Sequence, residues 1–224
     1  MHTTLGLFPL NTVLVPGAAL RLHVFEDRYR QLMSECIARG LPFGVCLDRN
    51  GRETGTDLDP SSVGTTAVIE QVKRLPEGRL YISAHGVQRF RIEHLDHSKP
   101  YLSAAVALLG EPLGPSQRVS RLQASAQHRF KEYLQALLGV GAGELDDLTL
   151  PEDPAASSYV IADALQVGLA AKQRLLEARD ATERLRTELQ LLLAETQRLR
   201  ALRTRVAARE RSGAPAFGVR FSLN

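Results

Sequence analysis

Apolar and polar residues alternate along Leu20, Arg21, Leu22, His23 and Val24, the two-residue period of a strand with one buried face. Pro16 and Gly17 supply a turn ahead of it. After Phe25 the spacing lengthens to that of a helix, with Tyr29, Leu32, Met33 and Ile37 on one side and Glu26 and Asp27 at the positive helix end. Comparable short stretches predict strands near residues 5–8, 13–15, 18–24, 43–48, 64–74, 79–84, 87–95 and 101–109. Pro76, Glu77 and Gly78 read as a hairpin turn between two of the longest strands. Gly44, Gly64 and Gly86 read as bulges or points of close backbone approach. Many short strands with a single early helix predict a closed or half-closed, mostly antiparallel barrel.

The texture changes after the linker EPLGPSQ, where Val119, Leu122, Ala126, Phe130, Leu134 and Leu137 fall on one helical face. Further helices are predicted over 155–167 and 171–178, and a long one from Asp180 to about Arg211. Asp180 stands three residues before Glu183, close to a capping box, and Leu185, Leu189, Leu192, Thr196 and Leu199 follow the spacing of a helix seam. At about 1.5 Å per residue this last helix is roughly 45 Å long, more than a small strand assembly needs. The chain therefore divides into a strand-rich part, 1–111, a helical part, 112–212, and a tail, 213–224. The predicted class is α+β, strands first and helices after.

With 224 residues, 44% of them hydrophobic, the chain can bury a core, but only 5% are aromatic and Trp is absent. The core is then aliphatic, and base-stacking surfaces are scarce. No apolar run is long enough to span a bilayer and no secretory pattern opens the chain, so the expectation is a cytoplasmic protein without membrane contact. Cys36 and Cys46 read as small apolar core residues, with a disulfide between them left open by spacing. His94, Asp96 and His97 lie together near a strand end, where neighbouring positions do not converge on a metal, and a solvated turn is expected instead. Asp146, Asp147, Glu152 and Asp153 read as solvated loop residues or caps of the next helix. Neither a nucleophile elbow nor a phosphate-binding G-x-x-x-x-G-K-[ST] loop occurs, so no enzyme activity, metal or cofactor is expected.

The run LFPLNTVLVPGAALRLHVFEDRYRQLM at 7–33 resembles the Lon N-terminal domain family, the substrate-binding region of ATP-dependent Lon proteases. FGVCLD at 43–48, VGTTAVIEQVKRLPEGRLYISAHGVQRFRI at 63–92 and AAKQRLLEARDATERLRTEL at 170–189 resemble further parts of that family in the same order. The resemblance implies a PUA-like pseudo-β-barrel followed by a helical subdomain with one long terminal helix. It implies recognition of unfolded or partly unfolded polypeptide, with a separate ATP-dependent protease as a partner. On the matching motifs the candidate polypeptide-binding residues are Phe8, Pro9, Phe25, Arg28, Tyr29, Phe43, Arg89 and Phe90. Core packing is the competing role for the apolar ones. Arg28 and Arg89 compete as ion-pair partners or holders of a backbone carbonyl.

Charge adds a second candidate surface. The formal net charge of +3 conceals a concentration of Arg198, Arg200, Arg203, Arg205 and Arg209 at the end of the last helix. Such a cluster suits the negative end of a helix dipole, and alternatively a nucleic acid or acidic partner. The Leu185 to Leu199 seam offers a route to self-association, and a pocket within the strand-rich part would suit a small molecule.

Overall fold

The fold is that of a computed structural model, which describes residues 3–51, 58–112, 116–141 and 143–211. Six strands come in chain order as β1 (Thr3–Leu10), β2 (Ala19–Val24), β3 (Phe43–Leu47), β4 (Val63–Arg74), β5 (Leu80–Asp96) and β6 (Ser103–Leu108). Helix α1 (Asp27–Arg39) lies between β2 and β3, and α2 (Ser116–Leu138), α3 (Pro154–Ala164), α4 (Leu169–Glu177) and α5 (Ala181–Arg211) follow the strands. The class is α+β, a mixed sheet with five helices.

The strands form one sheet in the order β2-β5-β4-β3-β1-β6, and β5 also pairs with β6. Strand β5 makes this possible by its length: Leu80–His85 face β2, while Phe90–Asp96 face β6. Five strands thereby close into a ring, with β2 added outside it on β5. Only β1 and β3 run parallel; all other neighbours are antiparallel. Strand β3 is buried along its whole length, which explains why FGVCL reads as an unbroken apolar run rather than an alternating one.

Three sequence expectations change. Residues 13–15 are not a strand: Val13, Leu14 and Val15 are buried, but the Leu14 carbonyl accepts from the Thr65 hydroxyl (2.6 Å) instead of joining a ladder. The segments at 79–84 and 87–95 are one strand. Gly86 sits inside it because the Val15 carbonyl oxygen occupies the place of a Cβ, and Gly64 leaves room in the same way for the Val45 carbonyl. On α1 the buried positions are Tyr29, Leu32, Met33 and Cys36, while Ile37 is exposed.

One apolar cluster runs from Phe8, Tyr29 and Ile82 through Phe130, Tyr133 and Ile161 to Leu185 and Leu192, joining sheet and helices. A smaller one, Leu5, Leu7, Cys46, Phe90, Leu102, Ala104 and Val106, fills the other side of β1. Cys36 and Cys46 are buried free thiols, and burial pushes them up to about 11 and about 12 respectively. The helix seam Leu185, Leu189, Leu192, Thr196 and Leu199 packs within the chain, mostly against α2. No helix among the described residues is long and apolar enough to cross a membrane.

Candidate functional site

Most of the apolar candidates point inward. Phe8, Pro9, Tyr29, Phe43 and Phe90 are buried, Phe8 stacking on Tyr29 with ring centroids 4.1 Å apart. A polypeptide lying on the surface cannot reach them. Burial also pushes the Tyr29 hydroxyl up to about 12. Arg28 is half-buried, paired with Glu26 (2.8 Å) and lying over the Tyr29 ring.

Arg89 is the centre of an internal joint. It pairs with Glu111 (2.8 Å) and donates to the carbonyls of Leu176 (2.8 Å) and Ala178 (2.5 Å), tying β5 to the end of α4. Glu111 also takes Arg184 of α5 (3.2 Å) and the hydroxyl of Tyr159, whose ring lies under the Arg184 guanidinium at 3.8 Å. Burial and the Glu111 carboxylate push the Tyr159 hydroxyl upward against the lowering effect of Arg184. This network holds sheet and helices in one arrangement.

Of the original apolar candidates Phe25 alone is strongly exposed, at 53%. It belongs to a surface trio that sequence spacing did not reveal. His23 lies 4.8 Å from Tyr81, nearly parallel to it, and 5.8 Å from Phe25. Tyr81 is 51% exposed. The signal was present as alternation on β2, but the pairing of His23 with Tyr81 depends on the β2–β5 register, which strand patterns do not specify.

Among the described residues β2 pairs only with β5, so its other side is a sheet edge. The Gly86 amide donates to the Ala18 carbonyl (2.9 Å). Hydrogen-bonded pairs recur every second residue of an antiparallel ladder. From that register, Leu20, Leu22 and Val24 turn their backbone groups to β5, and Ala19, Arg21 and His23 turn theirs to the open edge. Three amide donors and three carbonyl acceptors are thus presented in the spacing of an extended chain, beside the aromatic trio.

At its N-terminal end β2 leads out of a cleft of about 640 Å³ between the Pro16–Ala18 turn and α3. Pro16, Ala18, Ala156, Tyr159 and Val160 give it apolar walls. Its size falls within the usual range for ligand clefts. The cleft lies before the N-terminal end of the β2 edge and the trio at its C-terminal end.

The arginine cluster lies elsewhere. Arg198 pairs with Glu195 (2.7 Å), and Arg200, Arg203 and Arg205 are exposed. At about 100° per residue, Arg198 and Arg205 share one side of α5 and Arg200 and Arg203 the opposite one. The side chain of Arg209 and the tail 213–224 lie outside the described residues. No group of three or more His, Cys, Asp or Glu side chains among the described residues could hold a metal ion.

Residues 4–194 match the ATP-dependent protease La (LON) substrate-binding domain. The chain is 30% identical over 198 residues to a Lon protease of Roseiflexus castenholzii, covering 86% of this chain and 24% of that protein. A Lon protease of Desulforamulus reducens is 24% identical over 184 residues, covering 81% and 23%. The chain thus spans about a quarter of the length of the curated relatives it matches. A Lon N-terminal domain protein from Xanthomonas campestris superposes with a TM-score of 0.62 at 26% identity, over 84% of this chain and 97% of that one. The N-terminal domain of a Mycobacterium avium complex Lon protease gives 0.63 at 23% identity, over 85% and 98%.

Proposed function

As the chain belongs to the Lon substrate-binding domain family, we propose that it recognises extended, unfolded polypeptide along the open edge of β2, without catalysing a reaction on it. The observation that carries this reading is the set of outward backbone groups at Ala19, Arg21 and His23 beside the exposed rings of His23, Phe25 and Tyr81. An incoming strand takes affinity from main-chain hydrogen bonds and selectivity from its alternate side chains. The cleft at Pro16–Ala18 receives the segment beyond the edge. In this role the protein serves as an adaptor that holds clients for a separate ATP-dependent protease.

Binding of fluorescently labelled unfolded casein, followed by anisotropy, tests the site. Arg21→Ala keeps the outward amide and Arg21→Pro removes it while leaving the β5 ladder intact, since proline is accepted where an edge N–H faces solvent. Arg21→Pro is expected to bind at least about 5-fold more weakly than Arg21→Ala, the loss of one well-placed hydrogen bond. Phe25→Ser with Tyr81→Ser is expected to weaken binding by about 10-fold or more, the contribution of two exposed aromatic contacts. Unchanged affinity in both, with native circular dichroism, would exclude this surface. Cleavage of casein by the purified chain with ATP would overturn the non-catalytic reading.

A further inference from the structure

Resting on that reading, we infer that the β2 edge selects extended segments in which an acidic residue stands two positions from an aromatic or other large apolar residue. The outward face of the sheet is laid out in rows. One row runs His23, Tyr81 and Lys73 across β2, β5 and β4, and the next runs Arg21, Ser83 and Gln71. An apolar stack therefore lies beside a cation one row away on the same strand.

The charges on this face are unbalanced. Arg21 and Lys73 are exposed and have no hydrogen-bond or ion-pair partner among the described residues. The carboxylates nearby are engaged: Glu70 with His85 (2.9 Å), Glu77 with Arg79 (3.6 Å) and Glu26 with Arg28 (2.8 Å). A guest strand added to β2 places alternate side chains on the face that carries Arg21 and His23, so residues two apart lie beside these two positions. The position beside Arg21 favours a carboxylate. The position beside His23 meets the rings of His23, Tyr81 and Phe25.

Cations beside aromatic rings also suit single-stranded nucleic acid. The edge argues against that occupant. Carbonyl oxygens of Ala19, Arg21 and His23 alternate with the amides along it, and the phosphates of a nucleic acid offer these acceptors no donor and repel them.

The test uses labelled peptides of alternating Thr and Val carrying a central Asp-x-Phe, Asn-x-Phe or Lys-x-Phe, titrated against wild type, Arg21→Glu and Tyr81→Ser. Wild type is expected to bind the Asp peptide about 3-fold more tightly than the Asn peptide and about 10-fold more tightly than the Lys peptide, the scale of exposed cross-strand charge pairs. Arg21→Glu is expected to reverse the order, and Tyr81→Ser to weaken all three while keeping it. Equal affinities for the three peptides, with Tyr81→Ser still weakening them, would overturn the acidic preference and leave polypeptide recognition standing. No binding of any peptide, or displacement of bound peptide by a single-stranded RNA, would overturn both.

Discussion

Glu188 lies on α5 one turn beyond Arg184, fully buried, with neither carboxylate oxygen hydrogen-bonded to a described residue. Burial raises it from 4.5 to about 8, with Arg184 pulling in the opposite direction. Below the unfolded value both states hold the proton and the stabilisation is complete. As pH rises from about 4.5 to about 8 the unfolded chain releases the proton first, so stability falls, by at most about 1.4 kcal/mol per unit for one group. Urea titrations at several pH values should show this decline in wild type, and Glu188→Gln should flatten it; a parallel decline in the variant would remove Glu188 as the cause. Arg89 makes a contrasting case, a buried charge whose terminal nitrogens meet Glu111 and two carbonyls. Arg89→Met takes one of three partners from Glu111 and the side-chain donor from the Leu176 and Ala178 carbonyls, and is expected to cost about 3 kcal/mol or more in urea unfolding. Arg89 was legible in the sequence as an inward arginine that pairs or holds a carbonyl, and it does both. Arg184 and Glu188 were not, because i,i+4 charges on a long helix ordinarily mark its solvated side.

At the scale of elements, helix starts were the easiest features to read because they depend on two or three neighbouring residues. The Asp180 carboxylate accepts from the Glu183 amide (2.9 Å), and the Glu183 carboxylate reaches back to the Arg179 amide (2.8 Å). Asp153 caps α3 through the Ala156 amide (2.7 Å), the role foreseen for part of that acidic loop. Asp180→Ala is expected to lower stability by about 1 kcal/mol. The hydrogen bond from Glu183 holds the Asp180 carboxyl below its ordinary value, so this loss appears above the usual aspartate range and fades as pH falls through the depressed one. A urea midpoint unchanged at neutral pH would show that the cap contributes nothing. Strand limits were harder. Gly86 reads as a bulge or a close backbone approach, and it is the latter, but the strand divided around it is continuous: β5 runs on past the Val15 carbonyl, a contact made by residues about seventy positions away. The same distance hid the proposed surface, since His23 and Tyr81 meet only when β2 and β5 are in register.

The whole molecule turns on how the strand-rich and helical parts are joined. Composition and periodicity separate them near residue 112, but the main apolar cluster passes from β2 and β5 into α2, α3 and α5 without a gap. Polar contacts follow the same path: Arg89 reaches the end of α4, and the Gln173 side-chain amide donates to the Val63 carbonyl (3.0 Å) at the start of β4. Apolar burial stabilises by about 25 cal/mol per Å² and is lost on both partners when either leaves. Opening the helices alone would therefore expose the sheet face beneath them and strand Arg89 with its charge. Native-state hydrogen exchange should consequently show the slowest amides of β4 and β5 and those of α3 and α5 opening with one free energy. Arg89→Met should lower protection in both parts by the same amount. Helices that exchange tens of times faster than β4 and β5, with the variant affecting the helices alone, would mean that the sheet is stable by itself and that the joint transmits nothing. A rigid joint also bears on the proposed client binding, because the cleft at Pro16–Ala18 has one wall on each part and keeps its width only while the two stay docked.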